Sequence, residues 1–95
     1  MVRMGRLPRN EFGFPVCAFP DGNLTNGPVS WGSPTSVEIQ LACPSGTKFL
    51  GLAHSHPGGV AHPSDQDVKS GFDSNSEALW IMSDTDFRMF PLVRP

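Results

Sequence analysis

The sequence lacks the long apolar runs and the basic clusters that mark two large classes of protein. No stretch reaches the roughly 18 to 20 apolar residues of a membrane-spanning helix, and residues 1–10 are basic but have no apolar stretch like that of a signal peptide. The seven Lys and Arg residues are scattered and are outnumbered by nine Asp and Glu residues, which gives a net charge of −2. We therefore expect neither a membrane nor a nucleic acid as a partner.

Cysteine is also scarce. The two cysteines, Cys17 and Cys43, have no C-x-x-C spacing. They could pair in an exported protein, but two isolated cysteines are more often buried and reduced, and we favour that interpretation. Because no targeting segment is recognisable, we expect a cytoplasmic location, with secretion as part of a larger protein as the alternative.

The 95 residues suffice for one domain, residues 1–95, with a single core. Ten Gly and ten Pro residues separate the apolar runs and favour short strands over long helices. We expect strands at residues 11–19, 28–33, 37–42, 49–56, 78–82 and 87–92, and one helix at residues 65–72. This order predicts an α+β domain around one mixed sheet.

Particular residues refine this prediction. Pro15 indicates an edge strand or a bulge in the first strand. Residues 37–42 (VEIQLA) alternate between apolar and polar side chains, as in a half-buried strand, so Glu38 should face solvent. We expect Trp31 and Trp80 in the core.

All three histidines lie within residues 54–62. If residues 49–56 form a strand, His54 and His56 project from the same face about 6.5 to 7 Å apart along it. Two imidazoles at this spacing can converge on one metal ion. An arbitrary H-x-H pair is more often incidental, so the residues that follow decide the interpretation.

Those residues favour a metal site. Residues 57–59 (PGG) turn the chain away from the strand, and the helix that begins near Ser64 can bring Asp67 back toward the imidazoles. Two histidines and one aspartate leave the fourth tetrahedral position of a zinc ion to water, as catalytic sites require. Ser64 and Asp67 also match a helix capping pattern, which alone would be a purely structural role.

Residues 54–67 (HSHPGGVAHPSDQD) reproduce the pattern H-x-H-x7-S-x2-D and resemble the JAMM/MPN+ zinc metallopeptidases. The likeness is closest to the compact bacterial JAB-like domains, including those at the ends of large polymorphic-toxin proteins. It covers residues 49–83 well and residues 11–48 loosely. It implies a JAB/MPN-like, cytidine-deaminase-like fold.

The resemblance also implies a role for each residue that matches the pattern. The implied zinc ligands are His54, His56 and Asp67. Ser64 would stabilise the developing oxyanion, and an upstream glutamate would be the general base. Glu11, in Glu-Phe-Gly, is the best match for that base, and Glu38 is the alternative. His62 and Asp65 lie outside the pattern and receive no role.

The implied function is a zinc-dependent metallopeptidase or isopeptidase that hydrolyses an amide bond through a metal-activated water. Its substrate would be a peptide or protein, with a ubiquitin-like tail, a peptidoglycan peptide and a linked toxin domain as alternatives. A dimer and a fragment of a larger protein are both compatible with the sequence. The alternative function is a catalytically silent MPN-like binding module.

Overall fold

In the computed structural model, which describes residues 7–93, six strands form one mixed sheet. The elements in chain order are β1 (Phe12–Ala18), β2 (Leu24–Asn26), β3 (Ser30–Trp31), β4 (Lys48–Ser55), α1 (Asp65–Asp73), β5 (Ala78–Met82) and β6 (Phe87–Pro91). The strand order is β2-β1-β4-β5-β6, and β3 also pairs with β1. Only β4 and β5 are parallel within the described sheet. The predicted α+β class is confirmed.

β1 is a central strand, so the expectation that Pro15 marks an edge was wrong. Pro15 lies between the residues of β1 that pair with β3 and those that pair with β2. Its carbonyl oxygen accepts a hydrogen bond from the Gly27 N–H at 3.0 Å. At this gap the missing proline N–H interrupts no ladder bond. The alternative expectation, a bulge, fits the shift in register against β4 between Val16 and Cys17.

α1 connects the parallel strands β4 and β5 and packs on one face of the sheet. A core that includes Leu52, Leu79 and Ile81 lies beneath it. Because the chain leaves the carboxyl end of β4 before it enters the helix, the first turn of α1 lies near that end of the strand. In the part of the chain described here, no helix has the length and hydrophobicity needed to cross a membrane.

Residues 37–42 do not form the predicted strand. Val37 and Ile39 are half-buried, whereas Glu38 and Gln40 are exposed, so burial alternates over residues 37–40 without a strand, but Leu41 is 49% exposed and breaks the alternation. The segment lies over the sheet face and not at its edge. An ideal Cβ on Gly13 of β1 would be 2.6 Å from Ile39 Cδ1 and 2.7 Å from the backbone carbonyl oxygen of Ala53, which cannot move aside as a side chain can, so glycine is required here.

Cys17 and Cys43 form a disulfide, with their Cα atoms 5.9 Å apart, so the expectation of two reduced cysteines was wrong. Cys17 lies in β1 and is fully buried, and Cys43 follows residues 37–42. The bond therefore ties the end of this irregular segment to the middle of the sheet.

The sheet face opposite α1 carries apolar side chains that no described helix covers. Trp31 is 63% exposed and packs against Phe12, with ring centroids 5.2 Å apart. Its expected place in the core was therefore wrong, because β3 is a short strand at the margin of the sheet. Trp80, on the central part of the same face, is half-buried.

Candidate metal centre

The H-x-H histidines lie where β4 ends. His54 is the penultimate residue of the strand and is buried, and His56 follows the strand with its N–H bonded to the Met82 carbonyl at 2.7 Å. Ser55 between them points to the opposite face, where its Oγ accepts a hydrogen bond from the Phe12 N–H at 2.9 Å. The strand alternation thus places both imidazoles on the face that α1 covers.

A capping box fixes the third residue of the group. The Ser64 Oγ accepts a hydrogen bond from the Asp67 N–H at 3.1 Å, and Asp67 Oδ2 accepts one from the Ser64 N–H at 2.9 Å. The carboxylate is therefore folded back over the N-terminus of α1. Because this end of the helix lies beside the end of β4, the carboxylate meets both imidazoles.

The ligand atoms of three residues lie close together. The two Nε2 atoms of His54 and His56 are 3.0 Å apart. Asp67 Oδ1 is 3.1 Å from His54 Nε2, and Asp67 Oδ2 is 3.0 Å from His56 Nε2. Zinc–ligand bonds of about 2.0 to 2.1 Å in a tetrahedron imply donor separations of about 3.3 Å, a few tenths of an ångström wider. The three residues are thus placed to bind a metal ion, and their donor types suit zinc.

The electrostatics keep these groups ready for a cation. Burial acts to raise the pKa of Asp67, but hydrogen bonds from His54 and Ser64 outweigh it and hold that pKa well below its usual range. The Nδ1 of His56 lies 3.1 Å from the Val60 carbonyl oxygen, which can only accept. When Nδ1 donates to this oxygen, a neutral His56 ring has its Nε2 lone pair free to bind a metal ion.

Glu11 borders the same cleft. Its backbone is held by 2.8 Å hydrogen bonds with Gly32 and Ser33, and its side chain is half-buried. Burial raises the pKa of Glu11, and the Asp67 charge adds to this, whereas the two histidines oppose it. The structure thus places the first candidate base in the cleft that His54, His56 and Asp67 also line.

The cleft has a volume of about 650 Å³ and lies between α1 and an irregular segment, residues 34–42, that we call the cleft wall. Glu38 lies on this wall and lines the cleft, although its side chain is exposed as expected. Ser64 lines the opposite side. Its Oγ accepts the capping bond, so its own hydrogen is available for donation into the cleft.

Sequence reasoning missed the cleft wall as part of the site. Its signal was the alternation in residues 37–42, which was interpreted as a strand. The two residues without an assigned role stay apart from the metal-binding group. His62 packs against Phe90, with ring centroids 5.6 Å apart, and Asp65 is an exposed charge in the first turn of α1.

Comparison with known proteins identifies one family. A sequence model described as prokaryotic homologs of the JAB domain matches residues 23–93. This range contains the two histidines, Ser64 and Asp67, but begins after Glu11. No curated protein and no solved structure matched the chain.

Proposed function

The chain belongs to the prokaryotic homologs of the JAB domain, and we propose that it is a zinc-dependent peptidase acting on a peptide or protein substrate. One observation carries this proposal. Two imidazole nitrogens and a carboxylate oxygen lie within 4.8 Å of one another at an open cleft that Glu11 also borders. A structural zinc site would be closed by a fourth protein ligand, and the described residues place only three here.

A zinc ion held by these residues would supply a polarised carbonyl and a water whose pKa is lowered toward ~7. In this proposal Glu11 takes the proton from the attacking water and later gives it to the leaving nitrogen. Its raised pKa suits both halves of that transfer. The Ser64 hydroxyl donates to the oxygen on which negative charge develops.

The catalytically silent binding module remains the alternative function. It is favoured by one observation, namely that the family match begins at residue 23 and so does not include the candidate base Glu11. Such a module would bind zinc and peptides but would release the peptides intact. Hydrolysis therefore separates the two functions.

The experiment uses the purified chain loaded with zinc and a library of internally quenched peptides, with mass spectrometry of the products. We expect cleavage of an amide bond with uptake of one water. A chelator should stop cleavage, and added zinc should restore it. His54→Ala should be inactive, whereas the matched control His62→Ala should keep the parental rate.

Two results would contradict the peptidase proposal. The first is a zinc-loaded parent that binds peptides but cleaves none of them. The second is cleavage that survives both chelation and His54→Ala, because the activity would then come from elsewhere.

A further inference from the structure

A second cavity of about 500 Å³ adjoins the metal cleft. The residues that line both cavities are Val37, Glu38, Ile39, Leu52 and Ser70. The two cavities therefore form one continuous groove that runs from the metal centre between α1 and the cleft wall.

Four of the eight residues that line the second cavity are aliphatic, and the other four are polar or acidic, namely Glu38, Ser70, Asp73 and Ser74. Leu41 is 49% exposed and borders only this cavity, and Val37 and Ile39 are half-buried beside it. Leu52, at 8% exposure, joins this lining to the core. An apolar group that displaces water from these aliphatic side chains lowers the free energy of the complex.

The helix sets the distance between this cavity and the metal centre. Asp67 lies at the candidate metal centre, while Asp73 and Ser74 border the second cavity. Six to seven residues of helix at 1.5 Å each span about 9 to 10 Å. An extended peptide covers this distance in about three residues, at about 3.3 Å per residue.

We propose that the second cavity binds a large aliphatic or aromatic side chain of an extended peptide substrate, about three residues from the amide bond at the metal centre. Leu41 is then a specificity-determining residue of the groove. The occupant follows from the continuity of the two cavities and from the four aliphatic side chains that line the second one. This inference rests on the peptidase function proposed above, although binding tests it separately.

The test moves a single Leu through an otherwise Ala- and Ser-based quenched peptide, from five residues before the scissile bond to five after it. With the zinc-loaded parent, the largest gain in kcat/KM should come from Leu about three positions away on one side. Leu41→Asp should raise the KM of that peptide by about 5- to 10-fold, as expected for loss of roughly half a leucine contact, with kcat nearly unchanged.

The matched control is Leu24→Asp. Leu24 is 55% exposed on β2 and borders neither cavity, so this variant should leave both constants at their parental values. Leu41→Met, which keeps an apolar side chain of similar size, should retain most of the parental affinity that Leu41→Asp loses. Thermal melting of all three variants checks that each is folded. Fluorescence anisotropy with the same peptides, labelled at one end, measures binding without hydrolysis.

Failure of this inference differs from failure of the peptidase proposal. If the peptides are cleaved or bound with no preference for Leu, or if the preference survives Leu41→Asp, the subsite is refuted. If none is cleaved but anisotropy shows a Leu preference that Leu41→Asp abolishes, the peptidase proposal fails and the subsite stands. If the parent binds none of them, the subsite is refuted as well.

Discussion

Replacement of Ser64 separates a structural role from a chemical one. Its Oγ accepts the Asp67 N–H in the capping box, and Ser→Ala at such a position costs about 1 kcal/mol of unfolding free energy. For a chain of this length that loss lowers the Tm by about 4 to 8 °C. If the hydroxyl also donates to the oxyanion, Ser64→Ala should slow turnover by ~10²-fold or more.

Ser64→Gly distinguishes the two effects. Glycine at a helix N-cap costs only a few tenths of a kcal/mol relative to serine, but it removes the hydroxyl completely. We expect Ser64→Gly to melt close to the parent and yet to be as slow as Ser64→Ala, and Ser64→Thr to retain both properties.

The assays for this series are thermal melting, zinc content and kcat at saturating peptide. Zinc content should stay near one per chain, because the Asp67 carboxylate keeps its bond from the Ser64 backbone N–H. Parental kcat in both Ser64→Ala and Ser64→Gly would refute the chemical role and leave Ser64 as a cap. Loss of zinc would instead show that Ser64 acts by positioning Asp67.

Three further predictions concern the metal, the base and the disulfide. Metal analysis should find close to one zinc per chain, lost in His56→Ala but kept in His62→Ala, and equal loss in both would refute the ligand assignment. Glu11→Gln should keep zinc and lose nearly all hydrolysis, while Glu38→Gln should stay within a few-fold of the parent; the reverse result would make Glu38 the base. Cys43→Ser should lower the unfolding free energy in urea titrations by up to about 3.5 kcal/mol, the loop-closure value for a separation of 26 residues. A dithiol reductant should have the same effect on the parent, and an unchanged midpoint in both cases would contradict this stabilisation.

The parts of the fold that the sequence predicts well depend on local signals. The apolar run that ends in H-x-H forms β4. The capping pattern at Ser64 correctly predicts a helix that begins at Asp65, and the helix ends at Asp73, one residue after the expected end. The turn between β5 and β6 is likewise local, since Ser83 and Asp86 bond to each other. The metal-binding group combines two such local units, so its geometry could be anticipated from spacing.

The parts that the sequence does not predict depend on distant partners. Residues 37–42 have the alternation of a strand, but the edge of β1 is taken by β2 and β3, so the segment lies on the sheet face over Gly13. Whether Cys17 meets Cys43 depends on the same long-range path. The second cavity also cannot be predicted from the sequence, because Leu41 and α1 line the same cavity only once the chain is folded.

The carboxylate of Asp67 belongs both to the helix cap and to the group of three residues placed to bind a metal ion. This double use would link ion binding to local folding. When the first turn of α1 frays, one donor of the ion moves away, so a bound ion must resist that fraying. At a free zinc concentration 100 times the Kd, such linkage stabilises the folded state by about 2.7 kcal/mol. Amide protons in the first turns of α1 should consequently exchange more slowly with deuterium in the zinc-loaded protein. The amides of β2 lie far from the site in the sheet order, so zinc should slow their exchange only where exchange requires global unfolding.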